Sequence, residues 1–245
     1  MIASLMMYQR PELKSEHDRY WALIRKFLAE EGINSPEHLS QDEDEFYVWE
    51  HPKLVLSQTC GMPYRKWLHD KVNLIGTPDF SLEDCPPGYY RSAIVVRTDD
   101  ERTDVAAFKD ATFAYNQDFS QSGYAAPYWH ISPLGFWFEH RLHTEQHILS
   151  AKAVAEGHAD IAALDAVSWR LMQTYEPFSA KLRVLDWTPP TPGLPLIASK
   201  TANVGGTYKA VEKAISALID ADRSKLGIKG IVNIPKEDYL AVPNP

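Results

Sequence analysis

The sequence predicts an α/β fold with mostly parallel sheets, and two observations carry that prediction. Short apolar runs alternate with helical patterns along the whole chain, and the composition is that of a packed globular protein, 44% hydrophobic and 24% charged. Strands joined through helices run the same way, so buried parallel pairing is the expected result. Residues 1–8 are apolar and read as a first strand, ended where Gln9-Arg10-Pro11-Glu12 turns polar. Ser15 with Asp18 three residues on has the form of a helix cap. Tyr20, Trp21, Ile24, Phe27 and Leu28 then recur at helical spacing until Gly32 stops them. Residues 54–57 are a strand leading into a helix at 61–70, and 72–76 and 92–97 are further strands. A strand at 111–115 feeds a turn at 120–123, and a helix at 144–156 is closed by Gly157. Then come a buried strand at 161–164, a helix at 166–175, a strand at 182–187 and a last long helix at 207–222.

Charge and length narrow the function. With 25 Lys+Arg against 33 Asp+Glu the net charge is −8, which argues against a nucleic-acid binder but leaves room for a small anion at a local cluster of donors. The 245 residues suffice for one large domain or two lobes of roughly 100–150 residues each. No stretch approaches the ~18–20 apolar residues of a membrane helix, so no membrane insertion is expected. The N-terminus lacks the cations-then-apolar order of a secretory leader, which places the chain as written in the cytoplasm. A mature exported chain restarted with Met would be periplasmic or extracellular. Cys60 and Cys85 have no metal spacing; two buried thiols or a disulfide both remain open. Cys60, just before Gly61, could also be a nucleophile at a strand-to-helix turn.

The most informative stretch is Tyr115-Asn116-Gln117-Asp118-Phe119-Ser120-Gln121-Ser122-Gly123-Tyr124. A strand ends, hydroxyls and a glycine follow, and a helix begins. The unpaired N–H groups and partial positive charge of a helix start suit a phosphate-like oxyanion, to which Ser120 and Ser122 add hydroxyl donors. The plainer reading is that one Ser caps the helix. His143 and His147, whose i,i+4 spacing would put them on one helix face, with His140 nearby, invite a metal reading, yet the segment is neither H-E-x-x-H nor H-x-x-E-H. No metal and no cofactor are therefore expected, and His147 in the first helical turn is better placed to meet an anion. Asp165 ends a buried strand, where ligands collect in open α/β sheets, and it can also cap the next helix. Tyr8 and Gln58 occupy the same kind of strand end. The proline-rich run from Thr188 to Pro195 suits either a stiff connection between lobes or a rigid surface loop.

In this order the chain resembles the phosphate/phosphite/phosphonate ABC-transporter substrate-binding proteins, a branch of the type 2 periplasmic binding proteins. The matching stretches are Leu54-Val55-Leu56-Ser57-Gln58-Thr59-Cys60-Gly61, Tyr89-Tyr90-Arg91 through Arg97, Ser120-Gln121-Ser122-Gly123-Tyr124, Gln146-His147 with Ala153 through Asp160, and Pro235-Lys236-Glu237-Asp238-Tyr239. The resemblance implies two lobes, 1–92 plus 188–245 and 93–187, linked by two crossing hinge strands and closing over a ligand cleft. It implies no enzyme, a small anionic ligand and an ABC permease as partner. Ser120, Gln121, Ser122, Gly123 and His147 would hold the phosphonate oxygens, and Asp165 would line the same cleft. Members that bind an aminophosphonate carry an acid after the second crossing, whereas Gly193-Leu194-Pro195-Leu196-Ile197-Ala198 has none. The alternative is a cytoplasmic enzyme or sensor on the same scaffold. It would use Cys60 or the three histidines and bind a phosphorylated or vitamin-like heterocyclic ligand.

Overall fold

The chain leaves its first unit after Tyr89, returns at Pro192 and ends with a short tail in the second, and the long excursion explains most of the topology. In the computed structural model, which describes residues 1–245, one unit is Met1–Tyr89 with Pro192–Ala241 and the other is Tyr90–Thr191 with Val242–Pro245. In chain order, β1 (Ile2–Ser4), β2 (Leu54–Gln58) and β3 (Val72–Asp79) come first, and β4 (Tyr89–Tyr90) carries the chain out. β5 (Ser92–Arg97), β6 (Phe113–Tyr115), β7 (Arg141–His143), β8 (Ile161–Asp165) and β9 (Leu182–Trp187) build the second sheet. β10 (Thr191–Pro192) carries the chain back to β11 (Leu196–Ser199) and β12 (Gly230–Val232).

The sheets run β1-β2-β11-β3-β12 and β7-β6-β8-β5-β9, and β4 pairs with β10. They are mixed rather than mostly parallel. Parallel pairing is confined to β1 with β2 and to β6 with β7 and β8. Each strand that follows a crossing, β5 and β11, is antiparallel to both of its neighbours. Strand–helix alternation predicts direction only for strands joined through a helix; a strand delivered by a crossing owes its direction to the crossing.

The central strands of both sheets are buried on two faces, which is why β5, β8 and β11 read as largely apolar runs. In β5, Ala93 and Val95 join one apolar cluster and Ile94 and Val96 the other; in β8, Ala162 and Leu164 alternate with Ile161 and Ala163 in the same way. In the first unit Leu196 and Ala198 face the helices Lys14–Glu30 and Val204–Ala217, through Trp21, Ile24, Val211 and Ile215, while Ile197 faces Trp49, Tyr64 and Tyr239. Each fully buried aliphatic side chain contributes about 1.5–3 kcal/mol.

Several boundaries differ from the sequence expectation, each for a local reason. The first strand stops at Ser4, and Tyr8 lies in a separate 3-10 turn, Met6–Tyr8. Ser15 is not a cap: Pro11 opens a 3-10 turn, Pro11–Leu13, that runs straight into the helix Lys14–Glu30. Gly32 does end that helix, at φ +71°. The last long helix is two, Val204–Ala217 and Asp220–Leu226. No disulfide joins Cys60 and Cys85.

Candidate functional site

After β6 the chain makes five residues of loop and then a wide helical turn, Gln121–Ala125, that passes directly into the helix Ala126–Ile131. The expected turn at 120–123 is thus the opening of the helix itself. Ser120 caps it: its Oγ accepts the Gly123 N–H at 3.0 Å, and its carbonyl accepts the Ala125 N–H at 3.0 Å, a π-type spacing. The capping reading of Ser120 is therefore realised, and it removes the Gly123 amide from the donors available to an anion. The N–H of Ser122, in the first turn, has no acceptor within the helix.

The helix expected from Thr144 begins three residues later, at His147–Ala155. Thr144 donates its N–H and Oγ to the Tyr115 carbonyl, Glu145 takes a left-handed φ of +68°, and Gln146 bonds back to Thr144. This tight turn sets His147 as the first helical residue, with its Nε2 3.0 Å from Ser122 Oγ. His143 lies on β7, its ring 5.2 Å from that of Tyr115, so the i,i+4 helix face expected for His143 and His147 does not exist. His140 precedes β7, and its carbonyl accepts the Phe113 N–H. No three His, Cys, Asp or Glu side chains converge closely enough to hold a metal ion.

Burial pulls His147 down to about 4, with the Ala163 backbone carbonyl opposing, and Nδ1 has no well-formed hydrogen bond. The imidazole is therefore neutral near pH 7. Gly123 is forced by what surrounds it: a methyl there would overlap Asn116 Oδ1 and come within 3.1 Å of His147 Cε1. Asn116, Ser122, Gly123 and His147 thus meet at one place. The sequence reading includes all of these except Asn116, whose only signal was its position one residue past the strand.

The remaining expected site residues are used as follows. Asp165 ends β8 and caps the helix Ala166–Tyr175, its Oδ1 accepting the N–H groups of Val167 at 2.7 Å and Ser168 at 2.9 Å. Gln121 is buried in the wide turn. In the first unit, Gln58 donates Nε2 to the Leu194 carbonyl at 3.1 Å, and its own carbonyl accepts Trp49 Nε1. The Met6–Tyr8 turn packs against β2, and the Tyr8 ring stands edge-on to Phe80 at 5.0 Å.

The fold is similar to that of periplasmic binding proteins. PhnD1 from Prochlorococcus marinus, solved with methylphosphonate, superposes with TM-score 0.75 at 15% identity, over 98% of this chain and 94% of that one. A binding-protein component of an ABC phosphonate transporter from Pseudomonas aeruginosa gives 0.72 at 15% identity, over 98% and 82%. MatC from Rhodopseudomonas palustris, with bound malate, gives 0.65 at 12% identity, over 98% and 92%. A search of curated proteins returned no match. The chain belongs to the family of ABC-transporter periplasmic substrate-binding proteins for phosphonate, whose model matches residues 69–239. That family is a non-enzymatic transport component, periplasmic, working with a permease, so the enzymatic alternative at Cys60 or the histidines falls away. No helix is long and apolar enough to cross a membrane.

Proposed function

We propose that the protein captures a small phosphonate- or phosphate-like oxyanion in the periplasm for an ABC permease, holding its oxygens at the wide turn after Ser120. The carrying observation is the pairing of Ser122 Oγ with His147 Nε2 at 3.0 Å beside a glycine that admits no side chain. Ser122 supplies a hydroxyl and an N–H, the Ser120 hydroxyl keeps its hydrogen, and the neutral imidazole gains a proton or donates Nε2–H as negative charge arrives. A micromolar affinity needs about 8 kcal/mol, and each hydrogen bond to a charged group contributes roughly 1.5–3 kcal/mol. Four or five donors therefore suffice without an arginine.

Titration calorimetry with phosphate, phosphite and simple alkylphosphonates tests the reading. Binding of at least one of them is expected, weakened in Ser122→Ala. No heat with any of the three, and no difference in the variant, would remove it.

A further inference from the structure

We propose that the site takes an oxyanion bearing a hydrogen on one of its oxygens, and that this hydrogen is donated to His147 Nε2, so that phosphorus oxyanions are held and hydrogen-free sulfate or sulfonate is refused. The inference rests on the oxyanion reading of the wide turn and names the form of the anion that the turn accepts.

A neutral imidazole has one nitrogen with a hydrogen and one without, and its neighbours decide which is which. Ser122 Oγ meets His147 Nε2 at 3.0 Å, and the Ala163 carbonyl, on β8, reaches the ring. A carbonyl only accepts, whereas a hydroxyl also donates. The ring hydrogen therefore stands on Nδ1, toward Ala163, in a bond too loose to be well formed. Nε2 is then bare and accepts the Ser122 O–H. Ser122 Oγ, the Ala163 carbonyl and the Gly123 edge of the turn meet the ring, and none of them is charged. A fully ionised oxyanion upsets this arrangement. To bind it, Ser122 must turn its hydrogen away from Nε2, which leaves a bare nitrogen beside a negative oxygen. Moving the ring hydrogen to Nε2 is no remedy, because Nδ1, cut off from water, is then bare against the Ala163 carbonyl. Asn116 Oδ1, buried without a partner against Gly123, is a further acceptor and opposes a bare negative oxygen. An anion with its own O–H removes the conflict: Ser122 donates to one of its oxygens, and its O–H donates to Nε2. An anion that arrives without one must bring a proton in from water.

Calorimetry at about pH 9, well above the second ionisation of a phosphate-type acid, tests this on the wild type and on His147→Gln. Phosphate and sulfate are then dianions of one shape that differ by a single hydrogen. The wild type is expected to bind phosphate about 10- to 100-fold more tightly than sulfate, the range of a hydrogen bond to a charged group. Methylphosphonate and phosphite reach the site without an O–H at that pH. Titrations in two buffers of different ionisation enthalpy should therefore count about one proton taken up per anion bound. Methanesulfonate, which takes up none, should bind about tenfold more weakly than methylphosphonate or worse. Gln offers an N–H where Nε2 is bare, so in the variant sulfate should come within a few-fold of phosphate and the proton uptake should disappear. Where the variant binds too weakly to measure, the wild-type values decide. Three results overturn this inference and leave the oxyanion reading standing: sulfate held within about twofold of phosphate, methylphosphonate or phosphite bound without proton uptake, or a variant that discriminates as sharply as the wild type. Wild type that binds none of the phosphorus anions overturns the oxyanion reading, and this inference with it.

Discussion

Each unit sends a strand into a helical segment that contains a wide π turn, and the two units use the polar groups at that junction in opposite ways. In the first, β2 ends at Gln58, Cys60 precedes the helical residues Gly61–Pro63, and the π turn Tyr64–Leu68 follows. Gln58 Nε2 donates to Leu194, the Gln58 carbonyl accepts from Trp49, and the Thr59 N–H donates to Pro195. The junction is tied into its own unit, with Ser57 Oγ the one buried exception on that strand. In the second, β6 ends at Tyr115 and Ser120 caps the π turn Gln121–Ala125. There Asn116 Oδ1 is buried without a partner, His147 Nδ1 has no well-formed hydrogen bond, and Ser122 Oγ meets His147 Nε2 at 3.0 Å. Similar backbone geometry can thus serve as a packing joint in one unit and as the proposed binding site in the other, and what separates them is whether the polar groups already have partners.

The comparison breaks most sharply at Gly123. Gly123→Ala must push Asn116 and His147 aside, and overpacking of this kind costs about 1–3 kcal/mol of stability. Oxyanion binding is expected to disappear in calorimetry, because the pair at 3.0 Å is also displaced. An alanine protein that melts and binds like wild type would show that the turn does not depend on this contact.

His147 sharpens it through pH. The folded pKa, about 4, lies below the ordinary 6.5, so on acidification the unfolded chain takes up the proton first. Stability from this group is complete above about 6.5 and is lost as the pH falls toward 4, a loss of up to about 3 kcal/mol. Denaturant melts at a series of pH values should show that slope in the wild type and a flatter one in His147→Gln. The same variant should bind the oxyanion about tenfold more weakly or worse at pH 7. A slope unchanged by the substitution would mean that other groups govern acid stability.

On the saturated side, Gln58→Leu should lower the melting temperature by removing a buried bond to the Leu194 carbonyl, about 1–2 kcal/mol, with affinity within a few-fold of wild type. Ser120→Ala is smaller still in stability, about 1 kcal/mol for a lost cap, and the same melting series measures it. If Gln58→Leu instead abolished binding at unchanged stability, the first unit's junction would belong to the site after all.

These contrasts bear on what could be read from the residues alone. Strand β5 was legible to the residue, because a run buried on both faces has no competing pattern. The hydroxyl-and-glycine bend was legible as a helix start. Strand direction was not, since β5 and β11 run as the crossings deliver them, and no local pattern encodes that. His143 was misplaced and the start of the helix that carries His147 was set three residues early for one reason: Glu145 adopts a left-handed φ, which a sequence reader expects of Gly or Asn. Asn116 escaped notice because a buried amide oxygen without a partner becomes visible only once its surroundings are known.

Glu145 gives the last and smallest prediction. Its φ of +68° costs a residue with a Cβ about 1–2 kcal/mol, and glycine would avoid most of that while adding freedom to the unfolded chain. Glu145→Gly is therefore expected to leave stability level or raise it by less than about 1 kcal/mol, a shift of at most a few degrees in melting temperature. Because the Thr144 bonds to the Tyr115 carbonyl are untouched, His147 should stay opposite Ser122 and the oxyanion affinity should not move. A loss of affinity at unchanged stability would show that the carboxylate side chain, rather than the backbone of this turn, fixes where the imidazole stands.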